Sequence, residues 1–356
     1  MKILVGLSGG VDSAVAAAIL KNEGHEVIGA TMSIWGKDEY HDFKGHSNAC
    51  FGPDEIKNIQ EAEKIAKKLE IPYITVDCRN NYEKTVVENF RSEYLSGRTP
   101  NPCVWCNEKI KFGVFPNSAK KQGAIFDKFA TGHYARIGEI EGETCLKRGV
   151  DPKKDQTYFL YRLSKEQISD LILPLGGYTK DEIRKMAADF NLEVANKPDS
   201  QDFYGGDYSE LLKAGKKQGN IVDTNGKILG THDGIWNFTV GQRRGIKISS
   251  TEPLYVISLN EKTNEVIVGH KDKTFNKSLI AKNLNFQIDP ERYEGKVISA
   301  KIRSVQTPTE AKFKFIDKET IEIVFEEYQK SIAIGQSAVL YDNDILIGGG
   351  IIESTK

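Results

Sequence analysis

The stretch Ser8-Gly9-Gly10-Val11-Asp12-Ser13 decides the fold, because it lies between a predicted strand at 2–6 and a predicted amphipathic helix at 12–22. Two adjacent glycines let the backbone approach a phosphate closely, and the helix N-terminus presents unpaired N–H groups to an anion. The hydroxyls of Ser8 and Ser13 can add donors, and Asp12 can hold Mg²⁺ on a pyrophosphate. The spacing lacks a Gly-Lys-Ser/Thr ending and a GxGxxG pattern, which argues against a Walker A loop and a dinucleotide fingerprint. The alternative is a glycine-rich tight turn capped by serine.

Around this loop, short β-rich runs alternate with amphipathic helical runs, which predicts a parallel α/β sheet with helices on both faces. Further strands are predicted at 26–32, 72–76 and 125–130, and further helices at 53–69, 82–94 and 107–121. From about residue 205 the pattern changes to hairpins, and Asn225-Gly226 between two apolar runs predicts a type I′ turn. Beyond residue 275, strict alternation predicts an antiparallel barrel or sandwich, of which we expect the barrel. The predicted domains are a catalytic α/β domain at 1–204, a β-rich central domain at 205–275 and a C-terminal β-barrel at 276–356.

The composition excludes some classes of protein. No run approaches the ~20 consecutive apolar residues of a membrane span. The first residues lead directly into the stretch from Ser8 to Ser13, which we call the glycine loop. We therefore expect a cytoplasmic protein with no membrane partner. The net charge of −1 does not indicate a nucleic-acid binder, and RNA contacts would have to come from local basic patches. Five cysteines are an odd number, which favours thiol or metal chemistry over a disulfide framework.

The second informative stretch is Gly97-Arg98-Thr99-Pro100-Asn101-Pro102-Cys103-Val104-Trp105-Cys106-Asn107. Gly97 and the two prolines predict a rigid loop, with Asn107 opening the helix at 107–121. Cys106 would then lie near a helix N-terminus, where the dipole lowers a thiol pKa from about 8.5 and favours the thiolate nucleophile. A lone CxxC could equally be half of a zinc site or a redox pair.

Together these motifs resemble the MnmA (TrmU) family of bacterial tRNA 2-thiouridylases, within the PP-loop ATP pyrophosphatase superfamily. The resemblance covers nearly the whole chain and is carried by the glycine loop and by five further stretches, at 98–102, 130–134, 154–161, 240–245 and 348–353. It implies that ATP adenylates the C2 oxygen of the wobble uridine in a tRNA anticodon stem-loop, and that sulfur then replaces this oxygen with release of AMP. It also implies that the C-terminal barrel at 276–356 binds tRNA, and that sulfur comes from a donor such as a cysteine desulfurase or a sulfur relay protein.

The resemblance further implies roles for individual residues. Cys106 is the nucleophile, and Asn101, Pro102 and Cys103 line the target base. The positions that match nucleotide contacts are Gly6, Leu7, Ser8, Gly9, Gly10, Val11, Asp12, Ser13, Met32 and Gly132. The positions that match tRNA contacts are Asn101, Pro102, Cys103, His133, Lys154, Asp155, Gln156, Arg303, Ser304 and Gln336. Without the resemblance, Met32 would be a core residue, His133 a hydrogen-bonded loop histidine and Lys154-Asp155 a solvated charge pair.

One departure from the family concerns the sulfur carrier. The best-known members carry a second cysteine shortly after a Lys-x-Asp-Ser segment, whereas Lys197-Pro198-Asp199-Ser200-Gln201-Asp202-Phe203-Tyr204-Gly205-Gly206 contains none. Cys50 is the candidate replacement, and Cys50, Cys103 and Cys106 could hold an iron–sulfur cluster with one open iron. The alternatives are a persulfide on Cys50 or Cys103, or Cys50 as a small apolar loop residue. His41 and His46 lie in the same loop and could also bind metal.

Two other functions fit part of the pattern. A PP-loop ligase acting on a small molecule would explain the glycine loop, but it would leave Cys103, Cys106 and the three-domain layout without a role. A non-catalytic paralogue that binds tRNA or an iron–sulfur cluster would explain the missing second cysteine. The presence of Asp12 and Cys106 argues against that loss of activity.

Overall fold

The structure, a computed structural model, describes residues 1–36, 49–193 and 202–356. It forms two compact units. The first comprises Met1–Val86, Cys103–Asp207 and Asp344–Leu346, and the second comprises Val87–Pro102, Tyr208–Asn343 and Ile347–Lys356. A search of these described residues finds no helix with the length and apolar character needed to cross a membrane.

A five-stranded parallel sheet forms the core of the first unit. The elements up to residue 204 are β1 (Lys2–Gly6), α1 (Val11–Asn22), β2 (Glu26–Ser33), β3 (Ala49–Phe51), α2 (Glu55–Lys68), β4 (Tyr73–Asp77), α3 (Arg79–Tyr82), α4 (Glu88–Leu95), α5 (Pro102–Trp105), α6 (Phe115–Lys121), β5 (Lys128–Ala130), β6 (Ala135–Ile140), β7 (Glu143–Arg148), α7 (Lys165–Ser169), β8 (Leu171–Ile172), α8 (Lys180–Asp189) and β9 (Asp202–Tyr204). The sheet order is β4-β2-β1-β5-β8. The predicted parallel α/β fold is confirmed.

The position of β1 at the middle of the sheet explains where a ligand can bind. Ile3, Leu4 and Val5 are fully buried there, because a parallel sheet is covered by helices on both faces. The strands on either side of β1 are β2 and β5, so the strand order reverses at β1. Open α/β sheets bind ligands outside the carboxyl ends of the strands at such a reversal. The glycine loop follows β1 directly.

Two helices begin earlier than predicted. The helix expected at 82–94 begins at Arg79, and the one expected at 107–121 begins at Pro102. Both contain a π-helical segment, at Glu83–Val87 and at Cys106–Val114. The two prolines predict a rigid loop, but Pro102 begins a helix, because proline has the right φ angle for the first helical residue and needs no hydrogen bond there.

The second unit contains two β structures. Its elements after residue 207 are α9 (Tyr208–Leu212), β10 (Gly219–Val222), β11 (Ile228–His232), β12 (Tyr255–Asn260), β13 (Glu265–Gly269), β14 (Phe275–Phe286), β15 (Ile298–Lys301), β16 (Thr309–Asp317), β17 (Thr320–Lys330), β18 (Ser337–Asp342) and β19 (Ile345–Thr355). Strands β11-β10-β13-β12 form one sheet, and β14-β17-β16-β15-β18-β19 form a barrel that the antiparallel pairing of β14 with β19 closes. The predicted C-terminal barrel is confirmed, and closure leaves it without free sheet edges.

The predicted hairpin at 221–229 forms as β10 and β11, but its turn is not type I′. That turn requires positive φ at both central residues, and of Asn225 and Gly226 only Gly226 has it, at +83°. The Asp223 carboxylate accepts hydrogen bonds from the backbone N–H groups of Asn225 and Lys227 at 2.8 and 2.9 Å. This side-chain bonding stabilises a longer loop in which a single glycine takes the left-handed conformation.

Candidate active site

The loop after β1 has the geometry of an anion-binding turn. Gly9 has a φ of +72°, and a Cβ there would lie 2.6 Å from the carbonyl oxygen of Asn58, so this position requires glycine. The Ser13 hydroxyl accepts from the backbone N–H of Ser8 at 3.1 Å and donates to the carbonyl oxygen of Gly10 at 3.1 Å. Gly10 is the N-cap of α1 and makes no side-chain cap, so the first N–H groups of α1 can face an anion.

The other predicted nucleotide contacts lie at the same edge of the sheet. Gly132 follows β5, and a Cβ on it would lie 2.7 Å from the carbonyl carbon of Asp12 and 2.8 Å from the backbone nitrogen of Ser13. Only glycine therefore fits where this loop passes the start of α1. Met32 is half-buried near the end of β2. Gly6 ends β1, Leu7 follows it, and the buried Val11 begins α1.

Two residues that the sequence did not single out hold the Asp12 carboxylate. The Lys180 ammonium donates to both oxygens, at 2.7 Å to Oδ1 and 2.9 Å to Oδ2, and the Tyr134 hydroxyl donates to Oδ1 at 2.7 Å. Lys180 is only 6% exposed. A sequence signal for Lys180 existed, because Thr179 and Glu182 form a capping box, which places Lys180 in the first turn of a helix, where a cation is disfavoured.

Cys106 lies inside a helix rather than at its start. The helical segment begins at Pro102, so Cys103 lies in its first turn and Cys106 opens the π-helical stretch. Burial raises the pKa of the Cys106 thiol to about 11, and the nearby Lys111 ammonium opposes this increase. The expected lowering of this pKa by the helix dipole is therefore wrong, because desolvation of the thiolate outweighs the favourable charges.

This pKa leads to a testable pH dependence. An ordinary thiol titrates near 8.5, whereas the pKa of Cys106 is about 11, so the rate of Cys106 alkylation by iodoacetamide should keep rising with pH beyond 9. Mass spectrometry of the peptide that contains Cys106 measures this rate. Lys111→Met should lower the rate at pH 9, because the thiolate loses its nearest favourable charge.

Lys109→Met is the matched control for Lys111→Met, because Lys109 lies in the same π-helical stretch but forms an ion pair with Glu108 at 2.6 Å. It should leave the alkylation rate of Cys106 unchanged. A rate that levels off near pH 9 in the unsubstituted protein would contradict the raised pKa.

Cys50 lies on a short strand beside the segment in which the second cysteine was expected. Strand β3 pairs in parallel with β9, with Ala49 opposite Asp202 and Phe51 opposite Tyr204. Cys50 is exposed. The Phe51 ring stacks on Tyr82 with a centroid distance of 5.2 Å, and this packing attaches the strand pair to the end of α3. Residues 194–201, which include Lys197 and Ser200, and the histidines His41 and His46 lie outside the described residues.

The three candidate cysteines all act on the pKa of Tyr82. The pKa of this buried phenol is raised by desolvation first, and then by Cys106, Cys50 and Cys103, so all three thiols lie within electrostatic range of its ring. Across residues 1–36, 49–193 and 202–356, no group of three His, Cys, Asp or Glu side chains could hold a metal ion. That finding concerns single ions, and the iron–sulfur cluster on Cys50, Cys103 and Cys106 stays a prediction.

The predicted tRNA contacts of the first unit are held by internal hydrogen bonds. His133 is 9% exposed, and burial followed by the charge of Lys111 holds its pKa well below the usual range, so the ring is neutral at pH 7. The Asp155 carboxylate is fully buried and accepts from Arg148 at 3.2 Å and from the Thr157 hydroxyl at 2.8 Å. Gln156 Oε1 accepts from the backbone N–H of Tyr134 at 2.8 Å. Lys154 is half-buried.

The remaining predicted tRNA contacts lie in the second unit. Gln336 Nε2 donates to the carbonyl oxygens of Thr99 and Pro100 at 3.2 and 2.8 Å, which holds the backbone just before Asn101. Asn101 is buried at 8% exposure. Arg303 donates to the carbonyl oxygen of Ser331 at 3.0 Å, and Ser304 is half-buried. Gln336 therefore positions the stretch that precedes Cys103 through its backbone.

Comparisons with known proteins agree along the whole chain. The family model described as "tRNA methyl transferase HUP domain" matches residues 1–204, "tRNA methyl transferase PRC-barrel domain" matches 212–270, and "Aminomethyltransferase beta-barrel domain" matches 276–352. A protein of Endomicrobium trichonymphae named tRNA-specific 2-thiouridylase MnmA is 47% identical over 99% of both chains. The chain belongs to the MnmA family. The resemblance carried by the motifs is confirmed.

Other MnmA relatives are similarly close. The protein of that name from Clostridioides difficile (strain 630) is 42% identical over 99% of this chain and 98% of its own. Among solved structures, a 4-thiouridine synthetase in complex with RNA and ATP is a distant neighbour, with 15% identity and a TM-score of 0.33 over 60% of this chain and 45% of that chain.

Proposed function

We propose that this MnmA family member is an ATP-dependent tRNA-uridine 2-sulfurtransferase that thiolates the wobble uridine in the anticodon loop. One observation carries the proposal. The glycine loop before α1 and the helical segment with Cys103 and Cys106 belong to one compact unit. An adenylating site and a thiol nucleophile are the two parts that replacement of a carbonyl oxygen by sulfur requires. The full-length relatives named tRNA-specific 2-thiouridylase support the choice of substrate.

The first step would activate the uracil. The C2 oxygen attacks the α-phosphorus of ATP, and pyrophosphate leaves with the electron pair of the broken P–O bond. The free N–H groups at the start of α1, together with the Ser8 and Ser13 hydroxyls, are suited to stabilise the phosphate charge. Asp12 is the candidate for contact with the Mg²⁺ that accompanies the nucleotide. The result is an adenylate, from which AMP is a good leaving group.

The second step would transfer sulfur. The Cys106 thiol attacks the outer sulfur of a protein persulfide, for example on a cysteine desulfurase or a relay protein. Its proton passes to the departing sulfur of the donor, which leaves as a thiol. The outer sulfur of the Cys106 persulfide then attacks C2 and expels AMP, which links the base to Cys106 through a disulfide. A second thiol must attack Cys106 Sγ to release 2-thiouridine, and it ends in a disulfide with Cys106. A thiol reductant then regenerates both cysteines.

Cys50 is our candidate for that second thiol. The chain has no cysteine in the segment from Lys197 to Gly206, but β9 within that segment hydrogen-bonds to the strand that carries Cys50. Cys50 is exposed, and together with Cys106 it raises the pKa of Tyr82. A cysteine on one strand of this pair would therefore replace a cysteine on its neighbour.

The prediction for Cys50→Ala is that thiolation stops after the first sulfur transfer. Without a second thiol, tRNA should remain attached to Cys106 through a disulfide, which a non-reducing gel would show as a protein–tRNA adduct. Dithiothreitol should release thiolated tRNA from this adduct. Cys145→Ala is the control, because Cys145 is fully buried in β7 and should be inert. Repeated turnover by Cys50→Ala without an adduct would assign the role to another thiol, and the same assay on Cys103→Ala tests that residue.

The proposed contacts with tRNA come from several separate stretches of the chain. Asn101, Pro102 and Cys103 are proposed to line the flipped uracil, and His133, the 154–156 segment, Arg303, Ser304 and Gln336 to contact the surrounding RNA. A neutral His133 can serve as either a donor or an acceptor to a base edge. Flipping one base out of an anticodon loop costs only a few kcal/mol, because the loop is already single-stranded. Contacts with phosphates make the affinity fall as salt concentration rises.

The test of the proposed function is whether release of pyrophosphate from ATP requires tRNA. We expect release with unmodified tRNA that carries a wobble uridine, and none without RNA. Addition of a persulfide donor should then yield 2-thiouridine, detected by mass spectrometry of nucleosides. Pyrophosphate release with a small molecule in place of tRNA would favour a ligase, and tRNA binding without any release would favour a non-catalytic paralogue.

A further inference from the structure

Lys180 is a buried cation beside the glycine loop that none of the proposed steps uses. It is the first residue of α8, and its ammonium contacts both oxygens of Asp12, the second residue of α1. The two helices pack against each other through a shared apolar core that contains Val11, Ala14 and Ile183. Their N-terminal ends therefore meet at this ion pair.

A lysine at this point conflicts with local preferences. The N-terminus of a helix carries a partial positive charge that disfavours a cation, and lysine is almost never fully buried unless it is paired. The backbone N–H of Lys180 donates to Asp151 at 3.1 Å, and the Tyr134 ring lies 5.8 Å from the ammonium. Several contacts therefore fix the position of the Lys180 side chain. Violations of local rules of this kind concentrate at functional sites.

The charge of Asp12 explains why a lysine is buried at the start of α8. Asp12 lies one residue after Val11 at the start of α1, where the loop presents its N–H groups to an anion. A bare carboxylate there would repel the phosphates of a nucleotide through a medium that screens charge far less than water does. With Lys180 at 2.7 Å the carboxylate is neutralised, and the positive ends of α1 and α8 then dominate the local field.

We propose that Lys180 sets the metal dependence of nucleotide binding. By neutralising Asp12 it allows the loop to accept ATP phosphates, and it makes nucleotide-bound Mg²⁺ compete with an internal ammonium for the same carboxylate. Lys180 is therefore a positioning residue that acts on the nucleotide through Asp12. This inference rests on the proposed use of ATP at the glycine loop.

The test compares ATP binding to the full chain in EDTA and in saturating Mg²⁺, by isothermal titration calorimetry without tRNA. In Lys180→Met the affinity for metal-free ATP should fall about tenfold or more, because Asp12 then faces the phosphates as an unpaired charge. The affinity for MgATP should fall much less, since Mg²⁺ can take the carboxylate without competition. The ratio of the two affinities should therefore rise about tenfold, and Lys180→Arg should keep it near that of the unsubstituted protein.

Matched variants separate this role from a structural one. Lys185→Met removes an exposed lysine from the same helix and should leave both affinities unchanged. If Lys180→Met does not fold, the double variant Asp12→Asn with Lys180→Met removes both charges and should bind ATP equally well with and without Mg²⁺. An equal loss of both affinities in Lys180→Met, or a double variant that still prefers MgATP, would overturn the inference. Failure of the unsubstituted protein to bind ATP at all would instead overturn the proposed function on which the inference rests.

Discussion

Cys106→Ser should reduce thiolation of tRNA by about a thousandfold or more, because a hydroxyl cannot accept and pass on a sulfur atom as a thiolate nucleophile does. Serine has the same shape as cysteine with a smaller oxygen in place of sulfur, so it creates no clash and should leave the π-helical stretch Cys106–Val114 in place. Thiolation is measured as 2-thiouridine per tRNA in a reaction with ATP and a persulfide donor.

The same variant should retain the first step. Pyrophosphate release in the presence of tRNA should continue, because the glycine loop and its hydrogen bonds do not involve Cys106. The matched control is Cys145→Ser, at a buried cysteine in β7, which should thiolate normally if it folds. Undiminished thiolation by Cys106→Ser would contradict the proposed mechanism. Loss of both pyrophosphate release and thiolation would indicate that the substitution disturbed the fold.

Gly132→Ala should weaken ATP binding by about a hundredfold or more, since the new methyl group would lie inside van der Waals contact with rigid backbone. The Cβ would be 2.7 Å from the carbonyl carbon of Asp12 and 2.8 Å from the Ser13 nitrogen. Either β5 or the start of α1 must move, and the N–H groups that face the phosphates move with α1. Calorimetric titration with MgATP measures the loss.

Gly177→Ala is the control for Gly132→Ala. A Cβ at Gly177 would meet no atom within 4 Å, and this glycine has an ordinary φ angle. It should therefore bind MgATP with normal affinity and unfold at an unchanged temperature. Normal ATP binding by Gly132→Ala would mean that the nucleotide does not depend on the start of α1, which would place the adenylating site elsewhere.

Much of the fold could be read from local sequence. The strand at 2–6 was predicted with its observed bounds, and the helix expected from Asp12 begins one residue earlier. Runs of apolar residues and the two glycines at Gly9 and Gly10 are strong local signals, since they report on backbone geometry and burial within a few residues. The barrel was also predictable, because strict alternation repeats along each of its strands.

The errors arose where two local signals competed. Pro102 is typical of a loop, but it begins a helix here. Asn225-Gly226 is typical of a type I′ turn, but the Asp223 side chain stabilises a different loop. Both residue patterns occur in either conformation. The surrounding packing and a side-chain hydrogen bond decide between them.

The sequence by itself determined the parallel sheet, the anion-binding loop and the family, because these depend on neighbouring residues or on motifs. Only the tertiary structure brought Lys180 to Asp12 across 168 residues and Tyr134 to the same carboxylate across 122. It also paired the strand of Cys50 with β9 and raised the pKa of Cys106. The physical reason is that ion pairing, strand pairing and desolvation depend on which distant segments pack together, and local sequence carries no direct measure of that packing.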